Sequence, residues 1–589
     1  MKKVLSSLFL SCLVACPAVL LAQQYGLEDS VRPEVEEAWN ANVKTSFRLT
    51  SKIEKCTVMI PKVTNPEPAP SDSDKEYGFI PFTRSYMAMT YYNYRPLAAE
   101  RKLDSLKVFA SQGEYEPITI GLYPLAGSDL SVTVSDLTGN GGKIAAENIE
   151  IASLRHMLKA VNNGGITEVR PEMLKKGGKT DLKKGVARII WLTLRVPENT
   201  PAGVYEGAVT LSGGKKPCVI KISAEVLPFK LLVNPDYSAG WFGSPREDEA
   251  LKQYVEHGNN AVASALEPEM SINGDSVSLD FSGPNKMLAL LKKYDLLPYA
   301  HQMFTLQAVG NELVYQFKVA EFSPEFNNLY KQAISGIVDW CAKNKVRMAL
   351  WVVDEPREKA LNIWNRNYVD TIKYIKLTQE VPGAIALVDT HDVNFDVDYT
   401  PMTDVLDIIE TSLWKGSAKL RAKCDAGTKA QLWIYNSGRS RSGFGFCSWK
   451  AKAKGRFEWA YDWGWSESVS KDFMSWSTSR GGDPSTGVTY PTKDGRMSTP
   501  SFEICREGID DYKYLYTLSQ RIAAAEKSAV PSAVLEAKKA AAMLALIVKQ
   551  SPEFPLQTAL PEVDKTDLLL DEWRYKIGKE IVALEKLNK

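Results

Sequence analysis

Two adjacent acids, Asp354 and Glu355, follow the largely apolar run RMALWVV at residues 347–353. Such a run is typical of a strand that is buried on both faces, as in a parallel sheet. The carboxyl ends of the strands carry the active site of a parallel α/β barrel. Paired carboxylates, one of them with a raised pKa, are the usual groups that cleave glycosidic bonds. In isolation, a solvated loop or a helix cap would be the favoured interpretation of the two acids, so the rest of the chain has to decide.

Aromatic and polar residues at the ends of other apolar segments could face these acids. The predicted substrate-binding residues are Trp241, His301, Asp389, Tyr435, Trp459, Tyr461 and Trp463. Aromatic side chains recur at every second position over residues 457–465 and would line one face of a strand. Because alternate residues of a barrel strand point inward, core packing is the competing interpretation of each aromatic residue. For His301 a core or hydrogen-bonding role is an equal alternative.

The chain that must position these residues has 589 residues, too many for one domain. Short alternating strands with Gly and Pro turns between residues 45 and 230 predict a β-sandwich. From residue 237 strands and helices alternate, and eight strands can be counted, with Asp354 and Glu355 ending the fourth. This alternation predicts a (β/α)₈ TIM-like barrel, followed by a C-terminal helical segment. The predicted ranges are 1–22 for a signal peptide, 23–232 for the β-sandwich domain, 233–500 for the catalytic barrel and 501–589 for the C-terminal helical region.

The first 22 residues resemble an export signal. Lys2 and Lys3 precede a mostly apolar stretch, and Ala22 is a small residue suited to cleavage. The sequence LVAC ending at Cys16 resembles a bacterial lipobox, so lipoprotein anchoring is an alternative to plain secretion. We expect an exported protein, periplasmic or secreted. No later run reaches the ~18 apolar residues of a transmembrane span.

Composition excludes several other classes of function. The net charge is +1, and no block of like charge suggests nucleic-acid binding. The six cysteines after the leader lack CxxC spacing, and there are only four histidines, so no metal site and no cofactor is expected. Most of these cysteines are expected to be buried free thiols. The expected partner is a glycan or oligosaccharide, and the oligomeric state is left open.

Three stretches resemble glycoside hydrolase family 123, the β-N-acetylgalactosaminidases and their wider uncharacterised relatives. They are WVVDEP at residues 351–356, WAYD at 459–462, and PSFEICREGIDDYKYL at 500–515. The segment REGIDDY within the last is the most specific. The amino-terminal segments AGVYEG at 202–207 and VLPF at 226–229 are also similar, so the resemblance covers about residues 75 to 520.

The resemblance implies substrate-assisted retaining catalysis. Glu355 would protonate the glycosidic oxygen and then activate water, while Asp354 would hold the N–H of the substrate's 2-acetamido group. The acetamido oxygen would be the nucleophile, which is an exception to the scheme with two enzyme carboxylates. Successive residues that leave a strand point in different directions, so adjacent acids suffice.

Two departures from the family and two alternatives stay open. Glu458 and Glu503 stand where a basic residue is expected more often, which would alter the preferred sugar if either reaches the pocket. One alternative is a retaining glycosidase for another sugar, in which Glu410 would be the enzyme nucleophile. The other is a non-catalytic carbohydrate-binding protein on the same fold. Turnover of an N-acetylgalactosaminide would separate an enzyme from a binding protein.

Overall fold

The computed structural model describes twelve ranges of the chain. They are residues 57–59, 63–103, 105–139, 142–160, 166–296, 302–359, 366–390, 404–409, 430–462, 487–492, 495–552 and 569–587. The predicted signal peptide, His301, Glu410 and Trp463 lie outside them.

The N-terminal part is β-rich. Its strands are β1 (Thr57–Met59), β2 (Phe79–Phe82), β3 (Ser105–Gln112), β4 (Tyr115–Pro124), β5 (Ser128–Val134), β6 (Leu137–Gly139), β7 (Gly142–Ile144), β8 (Ile149–Ala160), β9 (Ile166–Lys176), β10 (Lys179–Leu182), β11 (Arg188–Arg195), β12 (Gly203–Ser212) and β13 (Cys218–Lys230). Helix α1 (Asp72–Tyr77) precedes β2, and short 3₁₀ turns cover Ala98–Arg101 and Ala146–Asn148.

These strands form two sheets that share one core. One sheet has the order β1-β9-β8-β11-β4-β2, and the other has the order β10-β5-β12-β13-β3 with β6 and β7 beside β12. In β13, Cys218, Ile220, Ile222, Ala224 and Val226 are buried, while the residues between them are less buried. This two-residue period places one face of the sheet on the core. Buried residues of β4, β11 and β12 belong to the same cluster.

The central part alternates strands and helices. Its strands are β14 (Ser238–Trp241), β15 (Glu269–Asn273), β16 (Ser276–Asp280), β17 (Gln302–Thr305), β18 (Met348–Trp351), β19 (Ala386–Thr390), β20 (Val405–Ile409), β21 (Gln431–Tyr435), β22 (Gly455–Glu458), β23 (Thr489–Thr492) and β24 (Gly495–Ser498). Its helices are α2 (Asp248–Glu256), α3 (Ser282–Lys293), α4 (Leu306–Asn311), α5 (Pro324–Asn344), α6 (Tyr368–Gln379) and α7 (Ser448–Lys450), with π-helical turns at Glu312–Gln316 and Gly443–Cys447.

Seven of these strands form a parallel sheet in the order β14-β22-β21-β20-β19-β18-β17. Residues 260–264 hydrogen bond to both edge strands: the N–H groups of Asn260 and Ala261 donate to Ala239 O, and Met303 N–H donates to Val262 O. Within the described residues the sheet therefore has seven assigned strands, and the short segment 260–264 lies where the second of the eight predicted strands was expected. Two hairpins, β15–β16 and β23–β24, were not predicted.

The two faces of this sheet pack differently. All four residues of β18 are buried. Leu350 belongs to the layer between the sheet and the helices, whereas Ala349 and Trp351 join an inner cluster with Phe242 and Phe457. A strand with apolar groups on both faces reads as a continuous apolar run, which is why the sequence identified it.

Three helices close the chain: α8 (Pro500–Ala525), α9 (Pro531–Gln550) and α10 (Leu570–Leu587). Their shared apolar cluster also includes Leu227 and Phe229 of β13, so the helices pack on the N-terminal part. Within the described ranges, no helix has the length and apolar character needed to cross a membrane. Cys218, Cys341, Cys447 and Cys505 are buried free thiols, as expected for most of the cysteines.

The REGIDDY segment lies in α8 and carries buried charges. Arg574 of α10, 1% exposed, donates to Asp511 at 2.6 Å and to Glu507 and Glu116 at 2.7 and 2.8 Å. Arg441, which follows β21, donates to Asp511 at 2.7 Å. The most specific motif of the resemblance therefore joins three parts of the chain, because each buried charge needs an opposite partner.

Candidate active site

Asp354 and Glu355 lie just beyond the carboxyl end of β18. Val352 and Val353 before them are buried, and both acids are half-buried. The N–H of Asp354 donates to Oε1 of Gln307 at 3.0 Å, and the N–H of Glu355 donates to Asp389. The two peptide groups are therefore held by different parts of the chain. Gln307, after β17, binds that of Asp354, and Asp389 of β19 binds that of Glu355.

Asp389 is fully buried on β19, and its carboxylate accepts hydrogen bonds from the segment that carries the two acids. It accepts the Glu355 N–H at 2.9 and 3.1 Å through its two carboxylate oxygens, and the indole N–H of Trp351 at 3.2 Å. Glu355 has a φ of 41°, in the left-handed region that is unusual for a residue with a side chain. Such a conformation persists where surrounding contacts determine it. Asp389 therefore contacts the backbone of Glu355 and the ring of Trp351, and its contact with sugar stays a prediction.

The surroundings of Asp354 shift its pKa. Burial raises the pKa of Asp354 to about 7, with a further rise from the charge of Glu355 and an opposing effect of Arg357. Nη2 of Arg357 donates to Oε2 of Glu355 at 2.9 Å. The raised pKa leaves the Asp354 carboxyl partly protonated near neutral pH.

Aromatic side chains of the inner cluster, Phe242, Trp351 and Tyr435, form a surface that we call the inner wall. The Phe242 ring lies 5.1 Å from Trp351 and 4.9 Å from Tyr435. Burial raises the pKa of Tyr435 well above its usual value, and the charges of Asp354, Asp389 and Glu355 add to this. Tyr435 is therefore brought to the acids, as the sequence predicted for a residue of this site.

Trp459 also belongs to this wall. Its ring lies 5.9 Å from that of Phe242, and it is partly buried beside the inner cluster. A partly exposed aromatic ring at the edge of this cluster could pack against the apolar face of a ligand.

Two predicted site residues lie on the other side of the sheet. Trp241 is fully buried and stacks on Phe444 at 5.5 Å. The hydroxyl of Tyr461 donates to Ala250 O in α2 at 3.3 Å. The strand ends at Glu458, so the two-residue alternation that grouped Tyr461 with Trp459 does not continue that far. Neither residue is retained in the candidate site.

The two acidic departures from the family differ in position. Glu458 is buried and pairs with Arg456 at 2.6 Å, and its charge acts on Tyr435. Glu503 lies on α8, where it accepts from His257 at 2.9 Å and from Ser498 at 2.6 Å. Glu458 therefore borders the site, whereas Glu503 belongs to a cleft against the N-terminal part.

Two residues that contact the acid pair, and one further half-buried acid, were missed in the sequence. Gln307 binds the Asp354 peptide group, and nothing in the local sequence marks it. Arg357 directly follows WVVDEP, so its proximity to the acids was a usable signal. Glu267 accepts the N–H of Thr305 at 3.1 Å, and burial raises its pKa. It follows the bridging segment 260–264, as Asp354 follows β18. Across the described ranges, no group of His, Cys, Asp and Glu could hold a metal ion.

Two family models match the chain. The glycoside hydrolase 123 N-terminal domain matches residues 90–213, and the glycoside hydrolase 123 catalytic domain matches residues 280–518. No curated protein matches.

Solved structures give a similar result. A family 123 glycoside hydrolase from Clostridium perfringens, described in a study of glycolipid glycan hydrolysis, has a TM-score of 0.60 at 15% identity. The match covers 85% of this chain and 98% of that chain. β-Glucuronidase 3 from Bacteroides uniformis has a TM-score of 0.25 at 10% identity, covering 68% and 50% of the two chains.

The matched domains include both the acid pair of β18 and the REGIDDY segment of α8, so the resemblance seen in the sequence is confirmed. This chain belongs to glycoside hydrolase family 123 and is a glycoside hydrolase.

Proposed function

We propose that this protein is an exo-acting hydrolase that removes terminal β-linked N-acetylgalactosamine from glycans by substrate-assisted retaining catalysis. The observation that carries the proposal is the adjacent pair Asp354 and Glu355, whose peptide groups are held by different partners, Gln307 and Asp389. One carboxyl group can then reach the glycosidic oxygen while its neighbour reaches the acetamide.

The reaction assigns a different task to each acid. Glu355 donates a proton to the glycosidic oxygen as the bond to the anomeric carbon breaks. The acetamido oxygen attacks that carbon and forms an oxazolinium ring. The carboxylate of Asp354 accepts the N–H and stabilises the positive charge on the nitrogen. Glu355 then takes a proton from the water that opens the ring, and the configuration is retained.

The aromatic side chains of the inner wall support the proposal that a sugar binds here. Trp459 presents a partly exposed ring near Phe242. Tyr435 lies close enough to the acids for their charges to raise its pKa. We assign both to the sugar site. We also infer that the parallel sheet closes as a (β/α)₈ barrel with residues 260–264 as its second strand, which their hydrogen bonds to Ala239 and Met303 support.

A hydrolysis screen tests the proposal. Nitrophenyl β-glycosides of N-acetylgalactosamine, N-acetylglucosamine, galactose and glucose are compared at equal concentration. The N-acetylgalactosaminide should be cleaved and the galactoside should not, since galactose lacks the acetamide nucleophile. Equal cleavage of the two would overturn substrate assistance, and no cleavage of any of them would favour a binding protein.

The nucleophile is tested separately. A thiazoline analogue of the intermediate should inhibit far more strongly than substrate binds, as transition-state-like ligands do. A 2-fluoro sugar should leave no covalent adduct by mass spectrometry. An adduct on an enzyme carboxylate, Glu410 included, would instead identify the two-step enzyme. The related Clostridium perfringens structure concerns glycolipid glycans, so glycolipid and free oligosaccharide substrates should be compared directly.

A further inference from the structure

Arg366 is a buried cation that lies just before α6, and its guanidinium is held on several sides. The residue is 6% exposed. Its Nε donates to Oε1 of Glu321 at 2.8 Å, and its Nη2 donates to Oδ1 of Asn311 at 2.8 Å. The same oxygen of Glu321 accepts the hydroxyl of Tyr374 at 2.6 Å. A planar guanidinium bound at two of its nitrogens has few other positions, so Arg366 is fixed relative to α4, α6 and the segment before α5.

The main chain of Arg366 contacts the segment that follows the two acids. Its carbonyl oxygen accepts the N–H of Arg357 at 3.1 Å, and a parallel bridge pairs Arg357 with Asn367. Nη2 of Arg357 in turn donates to Oε2 of Glu355 at 2.9 Å. Asn367 caps α6, because its side chain accepts the N–H of Asp370 at 2.9 Å. Arg357 is therefore tied to the start of α6 through its main chain and to Glu355 through its side chain.

Helix α4 contributes to the support of both acids. Gln307 accepts the N–H of Asp354 at 3.0 Å, and Asn311 accepts the N–H of the Arg366 guanidinium. Residues four positions apart lie on the same face of a helix. One face of α4 therefore holds Asp354 directly and is connected to Glu355 through Arg366 and the residue that Arg366 binds.

We propose that Arg366 is a positioning residue for the reaction: it holds the main chain of Arg357, whose guanidinium then holds the carboxyl group of Glu355 in place. The inference rests on the proposed function, in which Glu355 protonates the glycosidic oxygen. A general acid must lie within hydrogen-bonding distance of the atom that it protonates. A small displacement of that group slows the reaction, although Arg366 itself does not touch the substrate.

The first test compares leaving groups, because only a poor leaving group depends on a general acid. The specificity constant kcat/KM is measured for the phenyl and 2,4-dinitrophenyl β-glycosides of the sugar that the hydrolysis screen identifies. Arg366→Met should lower kcat/KM for the phenyl glycoside by roughly 10-fold or more. For the dinitrophenyl glycoside it should fall by less than about 3-fold. Equal losses for both substrates would show that Arg366 supports the fold or the sugar site rather than Glu355, and would overturn the inference.

Three further variants serve as controls. Asn311→Ala removes one acceptor of the Arg366 guanidinium and should show the same dependence on the leaving group at a smaller size, which keeps the test open if Arg366→Met folds poorly. Arg366→Lys keeps the charge and should recover part of the loss. Arg347 precedes β18 at its other end and donates to Pro235 O at 2.6 Å, so Arg347→Met should affect both substrates equally. A leaving-group dependence in Arg347→Met as large as that in Arg366→Met would contradict the inference.

A second test needs no substrate and so separates this inference from the proposed function. Amide hydrogen exchange is followed by mass spectrometry in the free wild-type protein, in Arg366→Met and in Asn311→Ala. The N–H of Arg357 should exchange on the order of 10-fold faster in Arg366→Met, while α5 and α6 keep their protection. Unchanged protection at Arg357 in both variants would refute the inference, whatever the substrate screen shows. Protection lost throughout α5 and α6 as well would make Arg366 a residue of the fold alone.

Discussion

Both carboxylate oxygens of Asp389 accept the backbone N–H of Glu355, at 2.9 and 3.1 Å. This contact joins β19 to the residue that is expected to donate the catalytic proton, and it holds that residue at a positive φ. Asp389 was predicted as a sugar-binding residue, and in the structure its carboxylate accepts the N–H of Glu355 and the indole N–H of Trp351.

Asp389→Asn should lower kcat more than it changes KM. The amide keeps one acceptor oxygen, but its NH₂ group would face the N–H of Glu355 or of Trp351, and both of these are donors. Displacement of a catalytic group by about 1 Å can cost roughly 10²-fold in rate. Steady-state kinetics measures the effect. Asp404→Asn is the matched control, because Asp404 accepts the Ala386 N–H at 3.1 Å at the amino-terminal end of the same sheet. Equal kinetic loss in both variants would count against a specific role for Asp389.

Glu355→Gln should reduce turnover by roughly 10²–10⁴-fold while the protein stays folded. The amide keeps the size of the side chain and a hydrogen-bonding group, but it cannot transfer the proton. Activity on a nitrophenyl N-acetylgalactosaminide gives the measurement, and an unchanged circular dichroism spectrum serves as the control. Turnover near the wild-type value would remove Glu355 from the role of general acid.

Asp354→Asn should be less active and, at high pH, more stable. An amide cannot stabilise the positive charge of the oxazolinium nitrogen, so much of the rate is lost. In the wild type the pKa of Asp354 is raised to about 7 from 3.8, so its carboxylate costs stability that increases as the pH rises through this range. The melting temperature of Asp354→Asn should exceed that of the wild type at pH 8, and the gap should close toward pH 4. A gap of constant size would show that Asp354 titrates normally.

Trp459→Ala and Tyr461→Phe should separate the two faces of the sheet. Trp459 lies beside Phe242 on the inner wall, so its loss should raise KM. Tyr461 hydrogen bonds to Ala250 of α2, so loss of its hydroxyl should lower the melting temperature and leave KM unchanged. Kinetics and thermal unfolding of both variants provide the comparison. A Trp459→Ala variant that loses stability without a change in KM would assign Trp459 to the core as well.

Arg574→Met should destabilise the protein strongly without a role in chemistry. Removing one partner of a buried ion pair leaves the others uncompensated and costs about 3–5 kcal/mol. Here Asp511, Glu507 and Glu116 would all remain buried, and of the described residues only Arg441 at Asp511 and Arg506 at Glu507 would still pair with them. Lys576→Met on the same helix is the control, since Lys576 pairs with Glu572 at 2.6 Å on the surface and should matter little. Similar melting temperatures for the two variants would contradict a structural role for the REGIDDY charges.

Much of the organisation could be predicted from the sequence alone. The apolar run before Asp354 identified a strand buried on both faces, which corresponds to β18, and the predicted alternation of strands and helices after residue 237 is present. These features follow from local periodicity, because a strand or helix must bury a defined set of its own side chains. The resemblance to family 123 also rested on local motifs, and it is confirmed.

The direction in which single residues point was decided only by the tertiary structure. Trp241 and Phe242 are neighbours in sequence, yet one packs against the helices and the other forms the inner wall. Periodicity fails near strand ends, where the chain leaves the sheet, and this explains the error at Tyr461. Gln307, Asp389 and Arg574 gain their roles from partners that lie distant in sequence. A buried polar group is satisfied by whatever the fold brings to it, and no local pattern records that partner.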